Sequence, residues 1–263
     1  KNKGRDRVQV HRPRQAGQRE SGEPQMISRL SQAFEHGDFV LYQQYIQPLN
    51  EAVSSPHFEV LVRMRGDDGE LLPPMAFIPA AERYNLLTAI DRLVITELLQ
   101  VLSARERASG AQIAPEAGMY SVNLPGASIN DSSFSDFLRR QLARYPVAPS
   151  LLCFEVTETT AISNLTKAAE LMHEVKNMGC RFALDDFGIG MSSFAYLKYL
   201  PVDFLKIDGT FVRDMAADEM DCAIVEAINR IAHILGMQTV AEIVEDQATL
   251  GRLPLLGVDY AQG

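Results

Sequence analysis

Acids, amides and one lysine recur where short apolar runs of the sequence end. Each of these residues lies within such a run or directly after it. They are Glu59, Arg63, Asn123, Glu155, Glu158, Asp185, Asp186, Lys206, Asp208, Glu242 and Gln262. If the runs are parallel strands, their carboxyl ends share one rim, which is where barrel enzymes place their chemistry. Carboxylates crowded at one rim repel one another, and the pKa of each rises unless cations lie between them. The pattern therefore predicts a cation-binding site.

The residue types narrow the chemistry of that site. Oxygen ligands without histidine or cysteine favour hard ions such as Mg²⁺ or Mn²⁺ over zinc. Adjacent aspartates at 185 and 186 can bridge two ions about 3.5–4 Å apart, an arrangement that clamps the attacking and leaving oxygens of a phosphoryl displacement. A lysine among these acids can orient or deprotonate the attacking water, or neutralise a phosphate oxygen. Hydrolysis of a phosphodiester is the predicted reaction class.

A simpler interpretation is a set of solvated acids at helix starts, where Asp and Glu are favoured in any case. It suits any one of these residues taken alone. It does not explain why nearly every predicted strand ends in an acid, an amide or a lysine. We therefore favour a single site at one rim.

The elements that would position these side chains alternate along the chain. Strands are predicted over 39–46 and 57–65, and the short polar loop between them indicates an antiparallel hairpin. Further strands are predicted over 119–124, 151–156, 180–185, 204–207, 237–242 and 258–260, and helices near 26–35, 85–108, 127–144, 163–178, 219–235 and 246–254. Eight strands, one of them reversed, predict a TIM-like (β/α)8 barrel with one antiparallel strand, and a doubly wound open sheet is the alternative. Because the sequence stops at Gly263, where a last loop and closing helix would follow, we expect a barrel truncated at its C-terminus.

Charge divides the 263-residue chain into two parts. Residues 1–25 carry seven Lys or Arg against three Asp or Glu, which gives them a charge of +4. Because the net charge of the whole chain is −9, residues 26–263 carry −13. We interpret 1–25 as a basic linker and 26–263 as one globular domain. The acidic body argues against broad nucleic-acid binding, whereas it suits divalent cations and a small anionic substrate that reaches it through them.

Cysteine usage and hydropathy bear on the compartment. Cys153, Cys180 and Cys222 are widely spaced and each lies in an apolar segment, as expected of core thiols in a reducing compartment. No run of about 18 uncharged apolar residues suggests a membrane span. The expectation is a cytoplasmic domain, with any membrane anchor of the full-length protein in segments outside this sequence.

Six motifs resemble, in order, those of the EAL domain family of cyclic di-GMP phosphodiesterases. They are FEVLVR (58–63), SVNLP (121–125), FEVTET (154–159), ALDDFGIGMSSFAYLKYLPVDFLKID (183–208), TVAEIVE (239–245) and DYAQG (259–263). The resemblance covers roughly 26–263, and the DDFG to LKID stretch is highly specific. It implies a barrel with one antiparallel strand, and hydrolysis of cyclic di-GMP to linear pGpG with two Mg²⁺ or Mn²⁺ ions.

The resemblance also implies a role for each matching residue. Metal ligands would be Glu59, Asn123, Glu155, Asp185, Asp186 and Glu242, with Asp185 bridging both ions, and Lys206 would act on the attacking water, so that Lys206, Glu59 and Glu242 form the catalytic set. Gln44 and Arg63 would contact the nucleotide. Gln262 would lie near the waters of the metal site, and Asp208 would support the site beside Lys206. Glu158 would anchor the loop after the strand that ends in the two aspartates.

This sequence departs from the family pattern at a few positions without losing a proposed ligand. The name motif reads Glu-Val-Leu, and Val60 should point away from the metals because strand side chains alternate. Tyr45 replaces a proline, and Ile243 replaces the glycine of an AEGVE-type motif. The complete ligand set favours an enzyme over its main alternative, an EAL domain that binds cyclic di-GMP as a sensor without cleaving it. An enolase-type lyase shares the acids and the lysine but does not explain the ordered motifs.

The resemblance extends to partners. The opening KNKGRDRVQV (1–10) resembles the tail of a GGDEF (diguanylate cyclase) domain, which predicts an upstream GGDEF or sensory domain in the full-length protein. The alternative is an arbitrary basic linker. A homodimer is also expected.

Overall fold

The structure is a computed structural model of the chain. It describes residues 17–49, 56–66, 68–111, 113, 118–190 and 194–263. The segment 1–10, which carries the resemblance to a GGDEF tail, lies outside the described residues, as does most of the predicted hairpin loop.

Among the described residues, nine strands form one sheet. Their bounds are β1 Phe39–Pro48, β2 His57–Arg65, β3 Leu71–Leu72, β4 Met119–Asn123, β5 Leu152–Thr157, β6 Arg181–Phe187, β7 Phe204–Ile207, β8 Gln238–Ala241 and β9 Tyr260–Ala261. β2 and β4 to β9 follow one another in parallel, and β1 pairs antiparallel with both β2 and β9. This double pairing closes an eight-stranded barrel, and β3 is an extra strand on the edge of β2. The predicted TIM-like barrel with one antiparallel strand is confirmed, and the open doubly wound sheet is wrong.

Helices cover the outside of the barrel. Their bounds are α1 Gly17–His36, α2 Pro74–Arg83, α3 Leu87–Ser109, α4 Gly126–Ile129, α5 Phe134–Arg144, α6 Glu158–Ser163, α7 Leu165–Asn177, α8 Gly209–Val212, α9 Glu219–Ile234 and α10 Gln247–Arg252. The largest core cluster joins their inner faces to the outward side chains of the strands, Val60 included. Within the described part of the chain, no helix combines the length and hydrophobicity needed to cross a bilayer.

Several element bounds differ from the sequence-based expectation. α1 begins at Gly17 rather than near 26, because a polar helical segment has no apolar period to reveal it. α2 was not expected, since Pro79 lies inside it and prolines indicate breaks, although Pro74 suits the first helical position. The helix expected over 127–144 is two helices, because Asp131 accepts a hydrogen bond from the backbone N–H of Ser133 and forms a turn between them.

The inward side chains of the barrel form two layers. A lower, apolar layer consists of Ile46, Met119, Cys153, Ala183, Phe204, Val240 and Tyr260, with the His57 ring stacked on Tyr260 at 4.2 Å. We call these eight residues the floor. Two residues further toward the rim, the next inward position of each strand carries a polar side chain, because strand side chains alternate with a period of two. On β4 that position is Ser121, and Asn123, two residues further again, lies beside Glu155 in the sheet and donates to Glu59. A dry floor thus lies directly beneath the polar layer.

Candidate active site

The polar layer above the floor is a ring with one side chain from each barrel strand. We call it the ring, and it consists of Gln44, Glu59, Asn123, Glu155, Asp185, Lys206, Glu242 and Gln262. Glu242 directly follows β8 and Gln262 directly follows β9, and the others lie within their strands. Every ring residue was predicted from the sequence, so the barrel brings the expected set together at one end.

Lys206 is at the centre of the ring. Its side chain is 2% exposed, and its Nζ lies 2.8 Å from Glu155 Oε2, 2.9 Å from Asp185 Oδ1 and 2.8 Å from Glu242 Oε1. Glu59 Oε2 is slightly further away, at 3.6 Å. Burial alone would lower the pKa of Lys206, but these four carboxylates raise it well above its ordinary value.

Glu59 is the carboxylate that the amides of the ring support. Asn123 Nδ2 donates to Glu59 Oε1 at 2.8 Å, and Gln262 Nε2 donates to Glu59 Oε2 at 2.6 Å. The Gln262 amide also donates to Gln44 Oε1 at 3.1 Å. Burial raises the pKa of Glu59, but Lys206 and the two amide donors outweigh burial, and its pKa lies below the ordinary value. Glu59 is therefore held as a carboxylate.

The other ring carboxylates have too little positive charge around them. Burial raises the pKa of Glu155 and of Glu242, and neighbouring acids raise it further, while Lys206 offsets only part of the effect. Glu155 and Glu242 are both within ion-pair distance of the lysine, at 2.8 Å, yet the single positive charge of Lys206 cannot balance the negative charges of four carboxylates. The electrostatics of the ring thus favour additional cations.

The rim contains a cluster of carboxylates that fits such cations. Oxygens of Asp185, Asp186 and Glu242 lie within 4.8 Å of one another. Among the described residues, two ring acceptors, Asp185 Oδ1 and Gln262 Oε1, are buried without a hydrogen-bond donor. The Asp185 oxygen forms its ion pair with Lys206 without hydrogen-bond alignment. An all-oxygen set with buried acceptors that lack a hydrogen-bond donor suits a hard divalent cation.

The backbone at Asp186 explains how two adjacent aspartates reach one cluster. We expected the strand to end at Asp185, since neighbours in an extended strand point to opposite faces. β6 instead continues to Phe187, with Asp186 at φ 54° and a register shift against β7 between Leu184 and Phe187. This left-handed residue turns the backbone locally and lets Asp186 join Asp185. Burial and the charges of Asp185 and Asp208 raise the pKa of Asp186.

Glu158 connects α6 to the segment after β6. Its Oε2 accepts a hydrogen bond from the Gly188 backbone N–H at 3.0 Å, and its Oε1 accepts one from the Tyr196 hydroxyl at 2.6 Å. These contacts hold both ends of the segment that follows the two aspartates. Tyr196 was not predicted, because a tyrosine in a short 3-10 helix carries no signal for a partner 38 positions earlier in the sequence.

Asp208 and Arg63 lie outside the ring. Asp208 caps α8, where its Oδ1 accepts a hydrogen bond from the Thr210 backbone N–H at 2.8 Å. Arg63 Nη1 donates to the Val62 carbonyl at 2.9 Å, and its guanidinium lies 5.9 Å from the centre of the Tyr42 ring. The structure thus places Arg63 further along β2 than Glu59, at the edge of the barrel mouth.

A cavity of about 1030 Å³ adjoins the ring, and Asn123 and Glu155 contribute to its wall. Asp91 of α3 also lines it. Burial raises the pKa of Asp91 to about 7, and the hydrogen bond that it accepts from the Ser128 hydroxyl offsets part of that rise. Sequence reasoning missed Asp91, although an acid next to Ile90 on the apolar face of a helix is a detectable signal.

Comparison with known proteins agrees with the geometry. The family model described as EAL domain matches residues 27–263. The cyclic di-GMP phosphodiesterase PdeB of Shewanella oneidensis is 38% identical over 240 residues, covering 91% of this chain and 27% of the relative. PdeF of Escherichia coli, also described as a cyclic di-GMP phosphodiesterase, is 36% identical over 238 residues, covering 90% of this chain and 31% of the relative. The chain thus spans about a quarter to a third of these relatives.

Solved structures show the same fold. The FimX EAL domain of Pseudomonas aeruginosa bound to c-di-GMP superimposes with a TM-score of 0.83 at 29% identity, covering 90% of this chain and 93% of that one. The PaMucR phosphodiesterase in complex with c-di-GMP gives a TM-score of 0.81 at 33% identity, covering 91% and 94%. The family model, the relatives and the barrel with its ring lead to one conclusion: the chain belongs to the EAL domain family.

Proposed function

We propose that this chain hydrolyses cyclic di-GMP to linear pGpG in a reaction that requires two Mg²⁺ or Mn²⁺ ions. The observation that carries the proposal is the complete ring, in which a buried lysine contacts four carboxylates beside a rim cluster of three acids. Relatives described as cyclic di-GMP phosphodiesterases supply the substrate.

The oxygen ligands of the ring and rim would hold the two ions. Glu59, Asn123 and Glu155 would bind the first and Asp186 the second, Asp185 would touch both, and Glu242 would complete the site. When bound, the ions supply Lewis acidity toward the phosphodiester and lower the pKa of water toward neutrality. The free acceptor Gln262 Oε1 would bind water at the same site.

Lys206 supplies the positive charge that the chain itself contributes. Its Nζ keeps Glu155, Asp185 and Glu242 within 3 Å of one point, so these acids are arranged before any ligand arrives. The same group is positioned to orient the attacking water and to stabilise charge that develops on a phosphate oxygen. Because the floor excludes water from below, these interactions are stronger than they would be in solvent.

The cavity beside the ring provides room for the substrate. Its volume of about 1030 Å³ lies at the upper end of small-molecule sites, as a dinucleotide requires. Asn123 and Glu155 belong to both the cavity wall and the ring, so a nucleotide bound there would lie against this side of the ring.

The test is direct. Purified protein is incubated with cyclic di-GMP and Mn²⁺ or Mg²⁺, and the products are separated by chromatography. We expect pGpG, and no product in excess chelator. In Ca²⁺, which prefers seven or eight ligands, we expect binding without cleavage. Binding without pGpG in every metal would instead support the sensor alternative, and full activity in chelator would contradict the two-ion site.

The partners and compartment belong to the same proposal. A relative described as a bifunctional diguanylate cyclase/cyclic di-GMP phosphodiesterase, MucR of Pseudomonas aeruginosa, is 33% identical over 241 residues. It supports an upstream diguanylate cyclase (GGDEF) domain in the full-length protein. We also propose a cytoplasmic site of action for this domain. Light scattering on the full-length protein tests the homodimer that we also propose.

A further inference from the structure

Ile243 has a backbone conformation that isoleucine avoids. Its φ is 54°, in the left-handed region, where the clash of Cβ with the backbone is most severe for β-branched residues. The residue directly follows the ring carboxylate Glu242, and its side chain is 38% exposed. Strain of this kind persists only where the surrounding structure imposes it.

Hydrogen bonds on both sides impose that conformation. The Glu242 N–H donates to the Ile207 carbonyl at 3.2 Å, and the Val244 N–H donates to the Gln262 carbonyl at 2.9 Å. The backbone at Ile243 is thus held between the ends of β7 and β9. These bonds fix the turn, but they do not explain which way the Ile243 side chain points.

The Ile243 side chain lies against Gly209, the residue that follows Asp208. A Cβ added at Gly209 would lie 2.4 Å from Ile243 Cδ1 and 2.5 Å from Cγ1, closer than real Cβ atoms approach another heavy atom. Gly209 has no positive φ, so its backbone suits other residues, and the three atoms nearest an added Cβ all belong to Ile243. The two residues are complementary in shape.

We propose that Ile243 and Gly209 form a positioning pair for the catalytic ring. The pair joins the loop after β8, which carries Glu242, to the first residue of α8, which follows β7 and Lys206. Through this contact it fixes the Glu242 carboxylate at 2.8 Å from Lys206 Nζ and within the rim cluster. Ile243 acts through Glu242 and is a positioning residue, and the inference rests on the proposed metal-dependent function.

The experiment is a double-mutant cycle read out by metal binding. Mn²⁺ binding to Gly209→Ala, Ile243→Gly and the double variant is measured by calorimetry, and hydrolysis of cyclic di-GMP is titrated against Mn²⁺. Gly251→Ala is the matched control, because a Cβ at that helical glycine meets nothing within 4 Å. Circular dichroism verifies that each variant is folded.

We expect Gly209→Ala to weaken Mn²⁺ binding by on the order of 10–100-fold, the usual effect of disturbing a group that orients metal ligands. Ile243→Gly should weaken it less, and adding Gly209→Ala to that variant should have little further effect, since the clash is gone. The kcat of Gly209→Ala at saturating Mn²⁺ should be closer to the wild-type value than its activity at limiting Mn²⁺ is, because excess Mn²⁺ compensates for weaker binding. Gly251→Ala should behave like the wild type.

Several outcomes would overturn the inference. One is an equal effect of Gly209→Ala with and without Ile243, and another is unchanged Mn²⁺ binding in folded Gly209→Ala. If Gly209→Ala does not fold, Ile243→Ala, which keeps Cβ but removes the atoms nearest Gly209, must weaken Mn²⁺ binding for the inference to stand. A wild-type protein that binds no Mn²⁺ would contradict the proposed function itself, whereas normal wild-type binding without coupling contradicts the positioning pair alone.

Discussion

The ends of β6 and β8 reach the same backbone conformation with different residues. Each strand delivers a ring carboxylate, Asp185 or Glu242, and each is followed by a residue at φ 54°. Near the end of β6 that residue is Asp186, and aspartate tolerates the left-handed region comparatively well. After β8 it is Ile243, which does not.

The difference shows two uses of one turn. At β6 the left-handed residue brings a second carboxylate to the rim, so its side chain belongs to the site. At β8 the side chain lies against Gly209 and packs the loop after β8 onto the start of α8. The left-handed residue thus supplies a carboxylate to the site at the end of β6, whereas after β8 it supplies a packing contact that positions a neighbouring carboxylate.

The largest expected effect comes from removing the charges at the end of β6. Asp185→Asn and Asp186→Asn should each lose nearly all hydrolysis, because each removes a charged ligand from the all-oxygen cluster. High Mn²⁺ should rescue Asp186→Asn more than Asp185→Asn, since only Asp185 is proposed to touch both ions. Titrating activity against Mn²⁺ measures the difference, and equal rescue would remove the bridging role.

Lys206 joins the two regions, because its Nζ contacts Asp185 on one side and Glu242 on the other. Lys206→Ala should lower kcat by roughly 10²–10³-fold, as is typical when a group that stabilises developing charge is lost. Cyclic di-GMP should still bind, which equilibrium binding in Ca²⁺ can measure. Loss of binding with turnover per bound substrate intact would make Lys206 only a phosphate anchor.

Asp91 offers a contrast with the ring carboxylates, because it is a buried acid outside the ring. Its side chain accepts a hydrogen bond from the Ser128 hydroxyl at 2.5 Å. Burial raises its folded-state pKa to about 7, above the ordinary value of 3.8. The folded protein thus keeps a proton that the unfolded chain releases. The contribution of Asp91 to stability is therefore complete below about pH 4 and is lost as the pH rises toward 7.

Asp91→Asn removes this titration. Its stability relative to the wild type should rise by roughly 2–4 kcal/mol between pH 4 and pH 8, from about 1.4 kcal/mol per unit of pKa shift. Urea unfolding of both proteins at the two pH values gives the difference. A constant difference at both pH values would show that Asp91 titrates normally.

The smallest expected effect concerns the turns alone. Ile243→Gly should be more stable than Ile243→Ala by about 1 kcal/mol, because only glycine lacks the Cβ that clashes in the left-handed region. The same order is expected of Gly and Ala at 186. At the helical position 251 the order should reverse, by about 1 kcal/mol. Thermal unfolding of the Gly and Ala variants at positions 243, 186 and 251 measures these differences in stability. If Gly and Ala rank in the same order at all three positions, strain in the left-handed region is not their cause.

Local rules in the sequence predicted the barrel and every ring residue except Gln44, which was predicted only from the resemblance to the EAL family. Strands of period two and polar residues at their ends, such as Glu155 and Lys206, are visible without coordinates. The turn at Asp186 was not predicted, since it depends on a register shift against β7. Asp91 and Tyr196 were missed because their partners, Ser128 and Glu158, are distant in the sequence.

Because the floor and the ring lie at fixed positions along each strand, the number of residues between them matters for the site as much as the residue types do. Deleting one residue between floor and ring, for example between Phe204 and Lys206, would turn the ring side chain outward under the helices, because inner and outer faces alternate along a strand. The same deletion between elements would leave both layers in place. Systematic single-residue deletion would therefore map the reactive mouth of the barrel from folding and solubility alone, without a substrate.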